Sequence, residues 1–419
     1  MAWHLHTVTL KNSWPTNGGE PAVASETEPD ALNTGSVDTA EVAFDELCGA
    51  LAARDLKGLW SRPPLQPEPR PMTRAHLWQW DTVAPLAKQA GQVLDLHSGD
   101  GQRRALQFCN PGLRAGTTEA LFGAYQYLEA GETAPAHRHS PAAIRFMMTG
   151  SSVYTTVDGD ACWMEPGDLV LTPNWAWHDH TNKSDQPAIW LDVIDVVLVA
   201  TLESVFFEDH PVGMQELTGH GVSERRFGGP GLQGPSAPAD TKPHSPLLRY
   251  PYAQVAAALE ALYEQDGGQS VTLEYKNPVT GGPAIPTITC QMTRIYPGGL
   301  TPPSRQTGGR IHTVFRGRGR SVIGGTEFEW GPGDVFVVPS WVPVEHEVTE
   351  TADLFIGSDR AVLEALHLYR EQEMSERQEV TDVFKPRVAA DAPGAARLDQ
   401  GPALRVGVPA TPRPEGANR

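Results

Sequence analysis

The sequence predicts a mainly β protein built from two homologous β-barrel domains, with helical N-terminal and linking segments. Two observations carry this expectation. From Arg104 to about Phe207, and again from Val271 to Phe355, the chain reads as short strands separated by Gly, Pro and Asp turns, the pattern of a barrel or sandwich. The two stretches also share an internal repeat. Trp163-Met164-Glu165-Pro166-Gly167-Asp168-Leu169-Val170 and Pro173-Asn174-Trp175 recur as Glu329-Trp330-Gly331-Pro332-Gly333-Asp334-Val335-Phe336 and Pro339-Ser340-Trp341, at a constant offset of 166 residues. Two copies of one β-domain follow. In each Pro-Gly-Asp turn the proline presets its own φ and the glycine accepts a positive one.

The remaining elements follow in chain order. Residues 1–38 are rich in Gly, Pro, Ser, Thr, Asn and Glu without a periodic apolar face, and are expected to be disordered. Residues 39–100 form a helical N-terminal region. There Val42, Phe44, Leu47, Leu51, Leu56 and Leu59 trace a helical stripe between Glu41 and Trp60, and a short helix ends near Gly91. Residues 101–227 are the first barrel and 228–247 a Gly/Pro-rich linker. Residues 248–375 are the second barrel, opened by a helix over Ala253–Tyr263 and closed by one from about Ala361 to Met374. Residues 376–419 are expected to be a disordered tail.

Charge and composition narrow the function. A formal net charge of −18 and a pI near 5.2 argue against nucleic acid or an anionic membrane as partner, since both need a basic surface. Cys48, Cys109, Cys162 and Cys290 are scattered, without metal-ligand spacing, and read as reduced thiols of a cytoplasmic protein. No run approaches the roughly 20 apolar residues of a membrane helix, and no apolar signal core opens the chain.

The chemistry-bearing residues cluster in the first barrel. Gly131, His137, His139 and Gly150 form one motif; Gly167, Pro173, His178 and Asn182 form another. Residues i and i+2 of a strand face one side, so His137 and His139 can point into a barrel and meet His178 from a facing strand. Three imidazoles on one face of a cation leave positions open for substrate. This pair of motifs resembles the cupin superfamily, whose barrel is a double-stranded β-helix, so the expected fold is a bicupin. Where many cupins carry a further glutamate ligand this chain has Ala143. In the second barrel, counting from Gly299, the corresponding positions are Arg305, Thr307 and Val344. His312 and His346 lie off the ligand positions, and that barrel is expected to be metal-free.

Longer stretches resemble one cupin family. They are Pro135-Ala136-His137-Arg138-His139 through Ile144-Arg145-Phe146, then Thr172 to His180, Trp190-Leu191-Asp192, His76-Leu77-Trp78-Gln79-Trp80 and Asn277 to Pro283. They are similar to gentisate 1,2-dioxygenase and its salicylate- and 1-hydroxy-2-naphthoate-cleaving relatives, over about residues 45 to 370. The resemblance implies Fe(II) held by His137, His139 and His178. It also implies a small aromatic ortho-hydroxy acid and O2 as reactants, and a homo-oligomer, a tetramer in the family. By the same resemblance Arg145 binds the substrate carboxylate, with Arg103 or Arg104 as a second anchor. His180 shuttles a proton, Asp192 orients a neighbour, and Phe122 and Ala124 shape the pocket. Gentisate is the first substrate expected, with 1-hydroxy-2-naphthoate and substituted salicylates next. Gly123-Ala124, Pro141 to Ile144 and Val344 depart from the gentisate pattern. A non-oxidative metal cupin and a ligand-binding bicupin are the alternatives of another class, and metal content separates them.

Overall fold

A computed structural model describes residues 39–62, 64–96, 104–229 and 242–386. The chain divides into two compact units, residues 1–65 and 66–419. In the first, a helix spans Thr39–Ala52, and a single 3-10 turn spans Leu59–Ser61. The helical stripe expected to reach Trp60 stops at Ala52. Asp55 takes a left-handed φ of 55°, and Leu56 N–H returns to the Leu51 carbonyl, a helix-ending arrangement.

Among its described residues, the second unit holds four six-stranded sheets, two per barrel. In the first barrel, one sheet runs through Leu169–Thr172, Ala143–Thr149, Ala188–Ile194 and Phe122–Leu128. Its partner runs through Thr133–His139, His178–Asn182, Val153–Val157 and Asp160–Met164. Alternate residues of the facing strands close the floor of this barrel: Ala134, Val153 and Met164 meet Leu128, Met147, Val170 and Trp190. The opposite face of the first sheet packs on the second barrel. Phe146 stacks on Phe355 with ring centroids 4.2 Å apart, and Tyr125 donates its hydroxyl to the Gly333 carbonyl at 2.7 Å.

The barrels also exchange edge strands. His76–Trp78, ahead of the first barrel in sequence, pairs with Val335–Val337 of the second. Arg249–Tyr250, ahead of the second barrel, pairs with Leu169–Val170 of the first. The two Pro-Gly-Asp turns reinforce the exchange. Asp168 Oδ1 accepts the N–H of Tyr252, first residue of the helix Tyr252–Asp266, at 2.8 Å. Asp334 Oδ1 accepts that of Trp80, first residue of the helix Trp80–Val93, also at 2.8 Å. Each carboxylate thus caps a helix N-terminus, where a negative charge is favourable. Gly167 (φ 89°) and Gly333 (φ 85°) lie against the rings of Tyr252 and Trp80, where a Cβ would collide.

Two expectations for the ends of the domains need correction. The closing helix runs only over Arg360–Ala365. His367 takes a φ of 58° and the chain continues as a strand, Glu371–Glu373, on Ser304–Gln306. Residues 376–386 are not a disordered tail: Asp382–Val383 pairs with Thr326–Glu327 and Phe384 stacks on Phe328 at 4.8 Å. At the far side of the linker, Ser245 is fully buried and its N–H reaches the Ala284 carbonyl. The segments 1–38 and 387–419 lie outside the described residues.

Candidate active site

His137 and His139 stand two residues apart on the strand Thr133–His139, and His178 opens the strand beside it, directly opposite His137. Their ligand atoms all lie within 4.8 Å of one another, and all three side chains are buried. The ladder shifts by one residue between Ala134 and His137. Pro135 sits in that irregularity, where its missing N–H costs no ladder bond, and its carbonyl lies 3.0 Å from His137 Nδ1. His139 Nδ1 lies 2.7 Å from the Pro141 carbonyl and His178 Nδ1 3.0 Å from that of Ala176. A carbonyl only accepts, so each Nδ1 carries the proton and each Nε2 keeps its lone pair. This is the arrangement that orients metal-binding histidines. Nε2 of His178 is buried without a hydrogen-bond partner. Burial first, then the neighbouring His137 and His139, push the His178 pKa well below the ordinary histidine range, so it stays neutral. A buried group of three Nε2 donors, with His178 held neutral, suits a metal ion.

The loop before His178 is pinned to the loop after His139. Trp175 adopts a left-handed φ of 63°, its N–H reaches the His139 carbonyl at 2.9 Å, and Asn174 Nδ2 donates to the Ser140 carbonyl at 2.6 Å. The Trp175 and Trp177 rings flank the Arg138 guanidinium on the outer side of the strand.

The facing sheet contributes a polar row. Ala124, Asp192 and Arg145 are directly opposed on adjacent strands and share one face. Arg145 is 3% exposed. Its Nη1 donates to Thr172 Oγ1, and its Nε lies 3.6 Å from Asp192 Oδ1. Asp192 Oδ1 also accepts the Trp190 indole N–H at 3.1 Å. Burial lowers the Arg145 pKa while Asp192 works against the shift. The Arg145 charge itself contributes to depressing His178, so the two belong to one electrostatic neighbourhood. His180 Nδ1 lies 2.9 Å from Thr155 Oγ1, and its ring centroid is 6.1 Å from that of His178 and 5.1 Å from Trp190.

Phe122 and His139 border a cavity of about 190 Å3 whose other walls are Pro141, Ile194, Val196, Val205, Phe206 and Phe207. Phe207 also stacks on His137 at 5.4 Å. Ala124 is completely buried two residues beyond Phe122, next to Asp192 rather than on the cavity wall. The aromatic pair Phe206-Phe207 was not singled out in the sequence, although Phe207 ends the strand-rich stretch. Its strand, Phe207–Asp209, pairs with His137–His139; adjacent aromatics at the end of a barrel were the available signal.

Arg104 is not brought to the imidazoles. Its side chain is fully buried, ion-paired with Glu132 and bonded to the Gly91 carbonyl at 3.1 Å, so it is unavailable as a carboxylate anchor. Arg103 lies outside the described residues.

Register also corrects the second barrel. Ser304 faces Val344 as His137 faces His178. Trp341 N–H reaches the Gln306 carbonyl as Trp175 N–H reaches that of His139. The equivalents of His137, His139 and His178 are therefore Ser304, Gln306 and Val344, not Arg305 and Thr307 with Val344. The count began at the wrong member of a glycine pair: Gly298, with φ 72°, matches Gly131, with φ 73°. Arg305 turns outward to Glu68 at 2.9 Å and onto Trp341.

Comparison with known proteins agrees with this geometry. Residues 124–194 match the family model described as "Cupin domain". Gentisate 1,2-dioxygenase of Streptomyces sp is 39% identical over 352 residues, covering 81% of this chain and 98% of the relative. The 5-aminosalicylate 1,2-dioxygenase of Comamonas sp is 38% identical, covering 73% and 83%. The crystal structure of salicylate 1,2-dioxygenase from Pseudaminobacter salicylatoxidans superposes with a TM-score of 0.75 at 32% identity, covering 83% of this chain and all of that one. The fold and site thus define a bicupin enzyme. The chain belongs to the gentisate 1,2-dioxygenase family, oxidoreductases that cleave an aromatic ring with O2. Among the described residues, no helix is long and apolar enough to cross a membrane.

Proposed function

We propose that this enzyme uses Fe(II), held by His137, His139 and His178, to cleave gentisate between its carboxyl- and hydroxyl-bearing carbons, giving maleylpyruvate. The ring bond breaks and each of the two carbons ends with one atom of O2, so the product is the substrate plus O2. The observation that carries the reading is the set of three Nε2 atoms with every Nδ1 committed to a backbone carbonyl, beside a buried arginine. Iron would supply a chelation point for the substrate carboxylate and ortho-hydroxyl and a coupling to O2.

The chain's own groups supply the rest. Arg145 offers its planar guanidinium to the substrate carboxylate, held in place by Thr172 and Asp192. His180 takes and returns the phenolic proton at Nε2, its ring oriented by Thr155. Asp192 holds Arg145 in a ring-facing position. Phe122, Phe206 and Phe207 keep bulk water from the ring. Support for gentisate comes from the Streptomyces relative and from the gentisate adduct of the salicylate enzyme, which is 33% identical to this chain.

One observation favours a second reading, a salicylate or 1-hydroxy-2-naphthoate ring: apart from His139, the cavity walls are apolar, which suits a ring without a second hydroxyl. Anaerobic Fe(II) loading followed by oxygen uptake on the three acids tests both. The highest kcat/KM on gentisate supports the first reading and on either other acid the second. No uptake on any ortho-hydroxy acid overturns ring cleavage.

A further inference from the structure

The second barrel keeps a cavity at the place where the first holds its imidazoles. Its volume is about 560 Å3, and Ser304, Gln306, Arg310, His312, Val344 and His346 are among the residues that line it. His346 stands at the register of His180 and repeats its contact, with Nδ1 2.7 Å from Ser321 Oγ. Arg310 has no counterpart in the first barrel. It pairs with Val338 as Ala143 pairs with Thr172, so a guanidinium stands where the first barrel has a methyl group.

That guanidinium is poorly served by the protein. Arg310 is 7% exposed, and its Nε and Nη2 are buried without a hydrogen-bond partner. Burial lowers its pKa to about 10, opposed by Tyr369 and Glu371, so it remains a cation at neutral pH. His312 and His346 are held neutral by burial and supply no counter-charge. A buried cation with open N–H groups is costly unless an anion pairs with it. The fork of a guanidinium matches two oxygens on one carbon. Glu371 and Glu373 border the same cavity and disfavour a multiply charged anion.

We propose that the second barrel binds a small organic carboxylate on Arg310, at a site separate from the ring-cleaving one. Equilibrium dialysis with benzoate tests this in the iron-loaded Arg145→Met enzyme, where the catalytic barrel has lost its proposed carboxylate anchor. One benzoate per chain is expected. Adding Arg310→Met should weaken it by roughly tenfold or more, the effect of a lost charged hydrogen bond, while Arg310→Lys should keep part of the affinity. No benzoate bound by Arg145→Met overturns the proposal however the Arg310 variants fold. Undiminished binding in the double variant overturns it too, as does a site that takes inorganic phosphate and neither benzoate nor acetate. If Arg145 is not the catalytic anchor, the Arg145→Met enzyme holds two benzoates and Arg310→Met removes one, so the two readings fail separately.

Discussion

Asp192 Oδ1 lies 3.6 Å from Arg145 Nε on the neighbouring strand and takes the Trp190 indole N–H at 3.1 Å. The acid is therefore anchored from one side while it steadies the arginine on the other. Arg145→Lys keeps a charge but loses the planar fork, and kcat/KM should fall by about 10- to 100-fold with iron content unchanged. Asp192→Asn keeps a polar side chain beside Arg145 and should cost less. Steady-state oxygen uptake with parallel iron analysis measures both; wild-type kinetics in Arg145→Lys would make that residue structural.

Replacement of any one imidazole should empty the metal centre. The enzyme is expected to hold about one Fe(II) per chain, and His137→Ala, His139→Ala and His178→Ala should each lose it on gel filtration. His180→Ala should keep the iron and lose turnover, because its Nδ1 is engaged with Thr155. Iron retained by His137→Ala, or two irons in the native chain, contradicts the proposed ligand set.

Stability should fall on the acid side through the second barrel. Burial, then the charge of Arg310, holds the His346 pKa down at about 3, against about 6.5 in an unfolded chain. Above pH 6.5 both states are neutral and the group has no effect. Below it the unfolded state takes up a proton that the folded state refuses, so stability drops by at most about 1.4 kcal/mol per pH unit until pH nears 3. Urea melts at pH 7.5, 6 and 5 should show a shallower slope for His346→Gln than for the native enzyme. Equal slopes would mean that His346 protonates without resistance.

Ring choice should respond to Phe122 more than to Ala124. Phe122 is on the cavity wall, whereas Ala124 is buried beside Asp192. Phe122→Ala should raise kcat/KM for 1-hydroxy-2-naphthoate relative to gentisate by about tenfold, in the range that small changes of pocket volume produce. Ala124→Gly should shift the ratio less, through Asp192, with iron content unaltered in both. Ratios unmoved by Phe122→Ala would show that the ring binds elsewhere.

Much of this was legible in the chain, for a physical reason. Strand alternation and tight turns leave local marks, so the repeat and the His-x-His spacing disclosed two barrels and three imidazoles. Relations between distant segments leave weaker marks. Nothing local in His76–Trp78 says that it pairs with Val335–Val337. The glycines at 298 and 299 look alike until φ distinguishes them, and that ambiguity moved two positions of the second barrel by one residue. Arg104 carried the right charge, but Glu132, 28 residues away, claims it.

The exchange of edge strands changes what the repeat can mean as a unit of inheritance. If two ancestral copies were joined, each has since given its neighbour a strand, His76–Trp78 in one direction and Arg249–Tyr250 in the other. Neither copy is now a transferable module. A fragment ending at residue 229 would leave Leu169–Val170 bare, and one starting at residue 242 would leave Val335–Val337 bare, each an open edge that invites pairing with another chain. The half that carries the three imidazoles therefore cannot discard its twin, whose leading strand closes the edge at Leu169–Val170.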